Sequence, residues 1–462
     1  MESFDLIIIG GGPAGYVAAE RAGAAGLKTA VIEKRALGGV CLNEGCIPTK
    51  TLLNSAKIYE YSLHGEKYGV SAASVQIDHA AVINRKNKVV KKLVAGVGAK
   101  MKQHNVTVLN GVGSISGKEG NHFIIAVNEK SVCAPKLLIA AGSVSILPPV
   151  KGVKEGLESG FILTSREILD LKESPRELVI VGGGVIGLEM ASYFNTIGCK
   201  VSVVEMLDKI AGPTEKDVSA ALQKALSDKG VAFYLGCRVS AIESGKVVYE
   251  SKTGTASIEA DKVLLSIGRK ADCEKLGLES IGVFTERGAV VTDKHMQTNV
   301  AGVYAAGDVN GKSMLAHTAY REAEVAVNYM LGKQDLMRYK AIPSVIYTNP
   351  EAACIGETEE TAAEKGIPIQ VAKLPMAYAG RYVAEVERGE GFCKLIMDTR
   401  YHCLVGAHIF GSYASEYIYG LGMMIENETK ISELKELVFP HPTVSEIIRE
   451  TLFELSEEQS HA

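Results

Sequence analysis

Cys41 and Cys46 stand with four residues between them in Gly38-Gly39-Val40-Cys41-Leu42-Asn43-Glu44-Gly45-Cys46. Two thiols at this spacing can close a small disulfide loop. On an ideal helix they would point about 140° apart, at about 100° per residue. The turn between them must therefore be distorted, and Gly45 is the residue that would help. A helix N-terminus here would also lower a thiol pKa. A strained, accessible disulfide is the labile, catalytic kind, and its electrons need a nearby acceptor. Taken alone, the pattern also describes two free thiols. The other seven cysteines, Cys133, Cys199, Cys237, Cys273, Cys354, Cys393 and Cys403, are scattered. They read as small buried hydrophobes or surface thiols.

Two glycine turns supply candidates for the acceptor. Gly10-x-Gly12-x-x-Gly15 lies between an apolar run and an alanine-rich one, and Glu33 follows 18 residues after Gly15. Gly182-x-Gly184-x-x-Gly187 repeats the arrangement, with Glu205 again 18 residues on. In such a turn the glycines permit a tight bend, close approach of backbone to a pyrophosphate, and packing of helix on sheet. The acid accepts hydrogen bonds from a ribose diol. A glycine-rich structural turn is the alternative reading of either copy, but a matched pair, each between strand and helix, points to two dinucleotides. Glu205-Met206-Leu207 offers an acid and no adjacent arginine, which favours NAD over NADP. The redox pair comes soon after the first turn. The first copy is therefore expected to hold a flavin dinucleotide, FAD, and the second the nicotinamide.

Near the C-terminus, His441 precedes Glu446 in Pro440-His441-Pro442-Thr443-Val444-Ser445-Glu446. A histidine with a nearby carboxylate can act as a base near neutral pH. Thr443-x-x-Glu446 is also a capping box at a helix start, and both readings stand. No metal-ligand spacing is visible among the ten histidines, so no metal is expected.

These residues need elements to carry them. Strands are expected over Asp5–Ile9 and Lys28–Glu33 with a helix over Ala14–Gly26, and over Glu177–Val181 and Lys200–Glu205 with a helix over Leu188–Gly198. Leu137–Gly142, Asp261–Gly268 and Gly302–Asp308 read as strands ending in Gly or Gly-Asp, which bring backbone to a ligand at the carboxyl edge of a sheet. From about Ile342 the texture changes. Strand-like runs at Phe392–Met397 and Cys403–Ile409 precede a helical pattern over Tyr413–Glu426, and the whole reads as a separate α+β unit. A chain of 462 residues exceeds one core. A net charge of -4 argues against a nucleic-acid partner. No apolar run approaches the roughly 20 residues of a membrane span. The opening Met-Glu-Ser-Phe-Asp lacks the basic start of a signal peptide. An odd count of nine cysteines does not read as a structural disulfide framework, so a cytoplasmic location is expected.

Together, GGVCLNEGCIPTK (Gly38–Lys50), GGGVIGLE (Gly182–Glu189), AAGDV (Ala305–Val309), MLAH (Met314–His317) and HPTVSE (His441–Glu446) resemble the pyridine nucleotide–disulfide oxidoreductases. The resemblance covers essentially the whole chain, and within that family it is to the members that oxidise dihydrolipoamide. It implies that Cys41 is the interchange thiol and Cys46 the thiol packed on the flavin. It implies Lys50 near the reactive edge of the isoalloxazine, paired with Glu189, and Asp308 on the flavin's sugar chain. Gly142, Gly268 and Ala316 would be further cofactor contacts. His441 and Glu446 would be an acid–base pair delivered to the disulfide of the other subunit of a homodimer. Without the resemblance, Lys50 reads as a solvated helix lysine and Asp308 as a turn or cap residue.

The fold class expected is α/β, with two Rossmann-like dinucleotide-binding domains plus a C-terminal α+β dimerisation domain. The implied order is an FAD-binding domain with the redox disulfide (1–147), an NAD-binding domain (148–270), a central domain completing the FAD site (271–340) and an interface domain (341–462). The implied partner is a lipoylated protein of a 2-oxo acid dehydrogenase or glycine cleavage system, with no nucleic acid and no membrane. A related flavoprotein disulfide reductase with another disulfide substrate, or a non-catalytic docking subunit, are the alternatives.

Overall fold

The computed structural model describes residues 1–386 and 389–456. The apolar run before each glycine turn forms the central strand of a five-stranded parallel sheet. The first sheet runs in the order Val303–Ala305, Lys136–Ile139, Leu6–Ile9, Thr29–Glu33, Thr107–Asn110. The second runs Ile162–Leu163, Lys262–Leu265, Glu177–Val181, Lys200–Val204, Ala232–Tyr234. Leu6–Ile9 and Thr29–Glu33 are buried at every position. Helices and loops cover both faces of such a sheet, so its strands are continuous apolar runs rather than alternating ones. In each copy the third strand of the fingerprint unit leads into a three-stranded antiparallel meander. One spans Gly113–Glu119, His122–Val127 and Lys130–Ala134. The other spans Arg238–Glu243, Lys246–Ser251 and Gly254–Glu259.

The helices after the two turns span Pro13–Ala24 and Val185–Thr196, beginning earlier than the composition suggests, the second by one turn. Gly12 and Gly184 are their extended N-caps, so the residue after each glycine already takes up helical angles. Pro13 suits the first turn because its missing N–H would be unpaired there anyway. The three strands expected to run into Gly142, Gly268 and Asp308 stop at Ile139, Leu265 and Ala305. Gly142, Gly268 and Gly307 have φ of +78°, +116° and +80°. That conformation turns the backbone out of the ladder and across the carboxyl edge of the sheet.

The helix Ala316–Met330 lies against Pro13–Ala24. Ala14, Ala18, Ala19 and Ala22 of one helix share a core with Ala319, Ala323 and Ala326 of the other. Small side chains let the two axes come close and bring both N-termini to the same edge. Val303–Ala305 adds to the first sheet, and Leu276, Leu278 and Val290 pack in one core with Phe4 and Ile7. On this ground we propose that 271–340 completes the unit formed by 1–147. The chain crosses between the first two units at Ser143–Ser145 and Arg269–Ala271, which pair as an antiparallel ribbon.

The last unit is an antiparallel sheet in the order Ser344–Ile346, Glu351–Gly356, Cys403–Gly411, Phe392–Asp398, Ile369–Pro375. The helices Ala414–Glu426 and Glu446–Phe453 close its core. Among the described residues, no helix is long and apolar enough to cross a membrane.

Lys394 ties this unit to the second. Its Nζ donates to Glu215 at 2.7 Å, to Asp217 at 3.0 Å and to Glu359. Lys394 and Glu215 are 2% and 0% exposed. Burial alone would pull the ammonium pKa down, but the three carboxylates outweigh it and raise it. Lys394→Met leaves the buried Glu215 charge without its cation. We expect a loss of about 3–5 kcal/mol in chemical denaturation, the usual cost of breaking a buried pair. A loss below about 1 kcal/mol would show that the carboxylates behave as surface groups.

Candidate active site

A cleft of about 2110 Å³ is lined by both glycine turns, the redox loop, Lys50 and Glu189. The turns show why each glycine stands where it does. A Cβ on Gly10 would lie 2.2 Å from the Ala140 carbonyl oxygen, and one on Gly15 would lie 1.8 Å from that of Gly10. In the second copy the matching distances are 2.6 Å for Gly182 against Ser266 O and 2.4 Å for Gly187 against Gly182 O. The protein's own packing demands these four glycines. The middle ones differ. The nearest atom to a Cβ would be 3.7 Å away at Gly12 and 3.9 Å away at Gly184. Nothing in the chain forbids a side chain there, so the bare backbone leaves room for an outside group. Neither following helix has a side-chain cap, so its first N–H groups are free to meet an anion.

The two acids are held alike. Glu33 accepts from Gly11 N at 2.7 Å and from Arg35 N at 2.8 Å. Glu205 accepts from Gly183 N at 2.7 Å and from Leu207 N at 2.8 Å. Each carboxylate oxygen keeps a lone pair for a diol. This paired geometry fits two dinucleotides.

The redox loop breaks a helix in two. Gly39–Glu44 is helical, Gly45 is a break with φ -152° and ψ -108°, outside both the helical and extended regions, and a second helix begins at Cys46 and runs to Leu63. The break faces the two sulfurs toward each other. The two thiols are close enough to share a hydrogen, and this mutual contact is the largest influence on both groups. It raises the Cys41 pKa, and burial adds to the rise. It lowers the Cys46 pKa against the effect of burial, helped by the Lys50 charge. The two directions favour charge on Cys46 over Cys41. A Cβ on Gly39 would lie 2.6 Å from Gly12 Cα, so the loop is seated directly on the first glycine turn. Asn43 braces it by donating to the carbonyls of Leu37 and Gly39 at 3.0 and 2.9 Å.

Lys50, one turn into the second helix, donates to both oxygens of Glu189 at 3.0 and 2.9 Å. Asp308 accepts from the Ser143 hydroxyl, which in turn accepts from Arg269 Nε at 2.7 Å. Burial lowers the pKa of that guanidinium. Gly142, Gly268 and Ala316 line the same cleft. Ala316 begins its helix with no side-chain cap before it.

His441 and Glu446 lie elsewhere. The His441 Nδ1–Glu446 Oε1 distance is 2.9 Å, and the His441 side chain is 78% exposed. Neither residue lines the cleft of its own chain. The capping box is half formed. Glu446 accepts from Thr443 N at 2.8 Å, but the Thr443 hydroxyl donates to Pro440 O and the helix starts only at Glu446. The same carboxylate therefore fixes the loop and orients the ring.

Several residues around the site carry no local sequence signal. Glu44, inside the redox loop, is held by Arg35 at 3.0 Å and by Arg166 at 2.8 Å. The hydroxyls of Tyr16 and Tyr320 meet at 2.7 Å. Tyr347 N donates to Glu189 at 3.0 Å. Apart from the Arg35–Glu44 pair, nine residues apart, each contact joins residues far apart in the chain, and no spacing rule reaches across such distances. Among the described residues, the one group of acids that could hold a metal is Glu215, Asp217 and Glu359, and the Lys394 ammonium sits among them.

Residues 4–323 match the family model described as pyridine nucleotide-disulphide oxidoreductase, and residues 342–452 match that family's dimerisation domain. The chain is 40% identical to a dihydrolipoyl dehydrogenase of Chlamydia muridarum, over 97% of this chain and 96% of that one. It is 37% identical to a mitochondrial dihydrolipoyl dehydrogenase of Pisum sativum, over 96% and 90% of the two chains. Among solved structures it is similar to LpdA from Mycobacterium tuberculosis, with a TM-score of 0.89 at 25% identity over 99% of this chain and all of that one. It is also similar to the HOCl-induced flavoprotein disulfide reductase RclA from Escherichia coli, with a TM-score of 0.86 at 29% identity over 98% and 100% of the chains.

The thiol geometry makes a prediction about pH. A lowered Cys46 pKa keeps the thiolate present at pH values where an ordinary thiol is protonated, and the thiolate is lost as pH falls through that lowered value. Cys41→Ala removes the largest lowering influence. The thiolate absorbance of the reduced protein, measured against a Cys46→Ser control, should therefore appear at a higher pH in Cys41→Ala than in the wild type. An unchanged midpoint would mean that Lys50 and the helix start, not Cys41, stabilise the charge.

Proposed function

The chain belongs to the pyridine nucleotide-disulphide oxidoreductase family, and from that premise we propose that it oxidises protein-bound dihydrolipoamide to lipoamide and reduces NAD. The observation that carries this reading is the redox pair seated on the first of two matched dinucleotide cradles. FAD is assigned to the cradle of Gly10, Gly12, Gly15 and Glu33, with Asp308, Gly142 and Ala316 as further contacts. NAD is assigned to that of Gly182, Gly184, Gly187 and Glu205, with Gly268 beside it. The lipoyl group would be carried by a protein of a 2-oxo acid dehydrogenase or glycine cleavage system, met in the cytoplasm by a homodimer of this chain.

The chain's own residues account for the thiol chemistry. His441 of the partner subunit takes the proton of one substrate thiol, because only the thiolate is a competent nucleophile. Glu446, a half-buried acceptor on Nδ1 of the ring, orients that base. The thiolate attacks Cys41 Sγ, a mixed disulfide forms, and the Cys41–Cys46 bond breaks. Cys46 leaves as a thiolate, favoured by Lys50 and by its place at a helix start. The second substrate thiol then attacks the mixed disulfide at the substrate sulfur, and its proton passes to Cys41 as that sulfur leaves. Lipoamide is released with Cys41 as a thiol, and the partner's His441 passes the first proton to solvent. A bound flavin would take the electron pair from the dithiol and pass a hydride to nicotinamide. Glu189 and Lys50, negative and positive, are held together by their hydrogen bonds and would stand as one ion pair beside a flavin bound there.

The similarity to a flavoprotein disulfide reductase makes substrate choice the test. Anaerobic dihydrolipoamide should bleach the bound flavin, and NAD should restore it. Glutathione should not bleach it, and NADP should not restore it. The NADP arm matters because Arg238 lines the cleft with Glu205. Bleaching by glutathione alone would assign the chain to another disulfide substrate, and absence of flavin absorbance would remove the reading.

The exposed position of His441 generates a second prediction. General-base loss typically costs about 10²–10⁴ in rate, so Cys41→Ser and His441→Ala homodimers should each be nearly inactive. A purified heterodimer carrying one lesion per chain places both in one composite site and leaves the other intact. It should recover about half of wild-type turnover. Heterodimers as inactive as either parent, with normal flavin content, would show that each site is built within a single chain.

A further inference from the structure

Glu189 is 3% exposed, and its charge is met from two other parts of the chain. Lys50 of the redox helix donates to Oε1 and Oε2. The backbone N–H of Tyr347, from the antiparallel unit, donates to Oε1 at 3.0 Å. The same Tyr347 turns its ring under the lysine, with Nζ 4.3 Å from the ring centroid. Tyr347 lines the cleft together with Lys50 and Glu189. Its phenol is pushed up mainly by burial, so the ring is neutral and presents a negative π-face to the ammonium. Lys50 is thus confined on two sides, by a carboxylate and by an aromatic face, and one residue of the third unit touches both members of the pair.

We propose that Tyr347 is a positioning residue that sets where the Lys50 charge stands at the reactive edge of the flavin. The proposal rests on the functional reading above, which places Lys50 at that edge. It adds that the antiparallel unit, as well as the two nucleotide-binding ones, governs the electrostatics of electron transfer. The ring, not the hydroxyl, carries the effect. Removing the ring lets Lys50 swing toward solvent and lets water reach Glu189, while the backbone bond from residue 347 stays in place.

The holoenzyme provides the test through two readouts, the midpoint potential of the bound flavin and the rate of its reduction by dihydrolipoamide. Lys50→Met removes a positive charge and should make the flavin harder to reduce. Tyr347→Leu should shift the potential in the same direction by a smaller amount and slow flavin reduction by about three- to tenfold, the range of a partly desolvated cation–π contact. Tyr347→Phe keeps the ring and should match the wild type in both. In the Lys50→Met background, Tyr347→Leu should add little, because the charge it positions is gone. Should the leucine variant fail to retain flavin, Tyr347→Met is read in the same way. The proposal is overturned if Tyr347→Leu leaves both readouts at wild-type values. It is also overturned if Tyr347→Phe behaves like the leucine variant, or if the leucine effect adds in full to that of Lys50→Met. An unchanged potential in Lys50→Met itself overturns instead the placement of Lys50 at the flavin.

Discussion

A carboxylate as deeply buried as Glu189 costs several kcal/mol unless its charge and its lone pairs are both met. Here they are met only when three parts of the chain arrive together: the helix Val185–Thr196 that bears it, the helix Cys46–Leu63 that brings Lys50, and the segment around Tyr347. Much of the site depends on this convergence. The helix that brings Lys50 also begins with Cys46, so seating the ion pair seats the redox loop. A second contact reinforces it one turn along. Tyr193, on the same helix as Glu189, meets His79 Nδ1 at 2.8 Å, and the other ring nitrogen meets Leu171 O at 2.8 Å. The orientation of the second nucleotide-binding unit against the first is thereby held by directional bonds as well as by apolar packing.

The duplicated units repeat one local solution. In both, an acid at the end of the neighbouring strand reaches back to the middle N–H of the glycine turn. The bond stiffens the turn and presents the remaining lone pairs to the cleft. The difference between the copies lies in what is attached. The first turn receives the redox loop through Gly39 against Gly12, and the second opens on Met206 and Leu207, which are 65% and 51% exposed. The proposed flavin and nicotinamide assignments rest on these attachments, not on the turns themselves.

The antiparallel unit contributes in two directions. Toward its own chain it supplies Tyr347 and the Lys394 clamp, whose ammonium offsets Glu215 and Asp217 of the second unit. Away from its own chain it presents His441 on an exposed loop, fixed by the carboxylate that also begins the last helix. A base held rigidly yet facing outward is suited to complete a site on another subunit. A match to a dimerisation domain over residues 342–452 accords with that use.

Reading the sequence alone was enough for whatever depends on short-range covalent spacing. The glycine turns and their acids, the cysteine pair, the apolar strands of both parallel sheets and the change of texture after Ile342 all follow from local rules of backbone freedom and burial. Strand and helix ends were less legible. Whether Gly184 caps a helix or precedes it depends on a dihedral angle that neighbours decide, and whether Gly142 ends a strand depends on where its ladder partner stops. The pairing of Lys50 with Glu189 was legible only through resemblance, because 139 residues separate them. Tyr347, Arg166 and the Lys394 cluster were not legible at all. Their partners are brought within reach by packing between units. A contact of that kind is selected by the summed burial of whole faces, for which no single residue type or spacing is a signal.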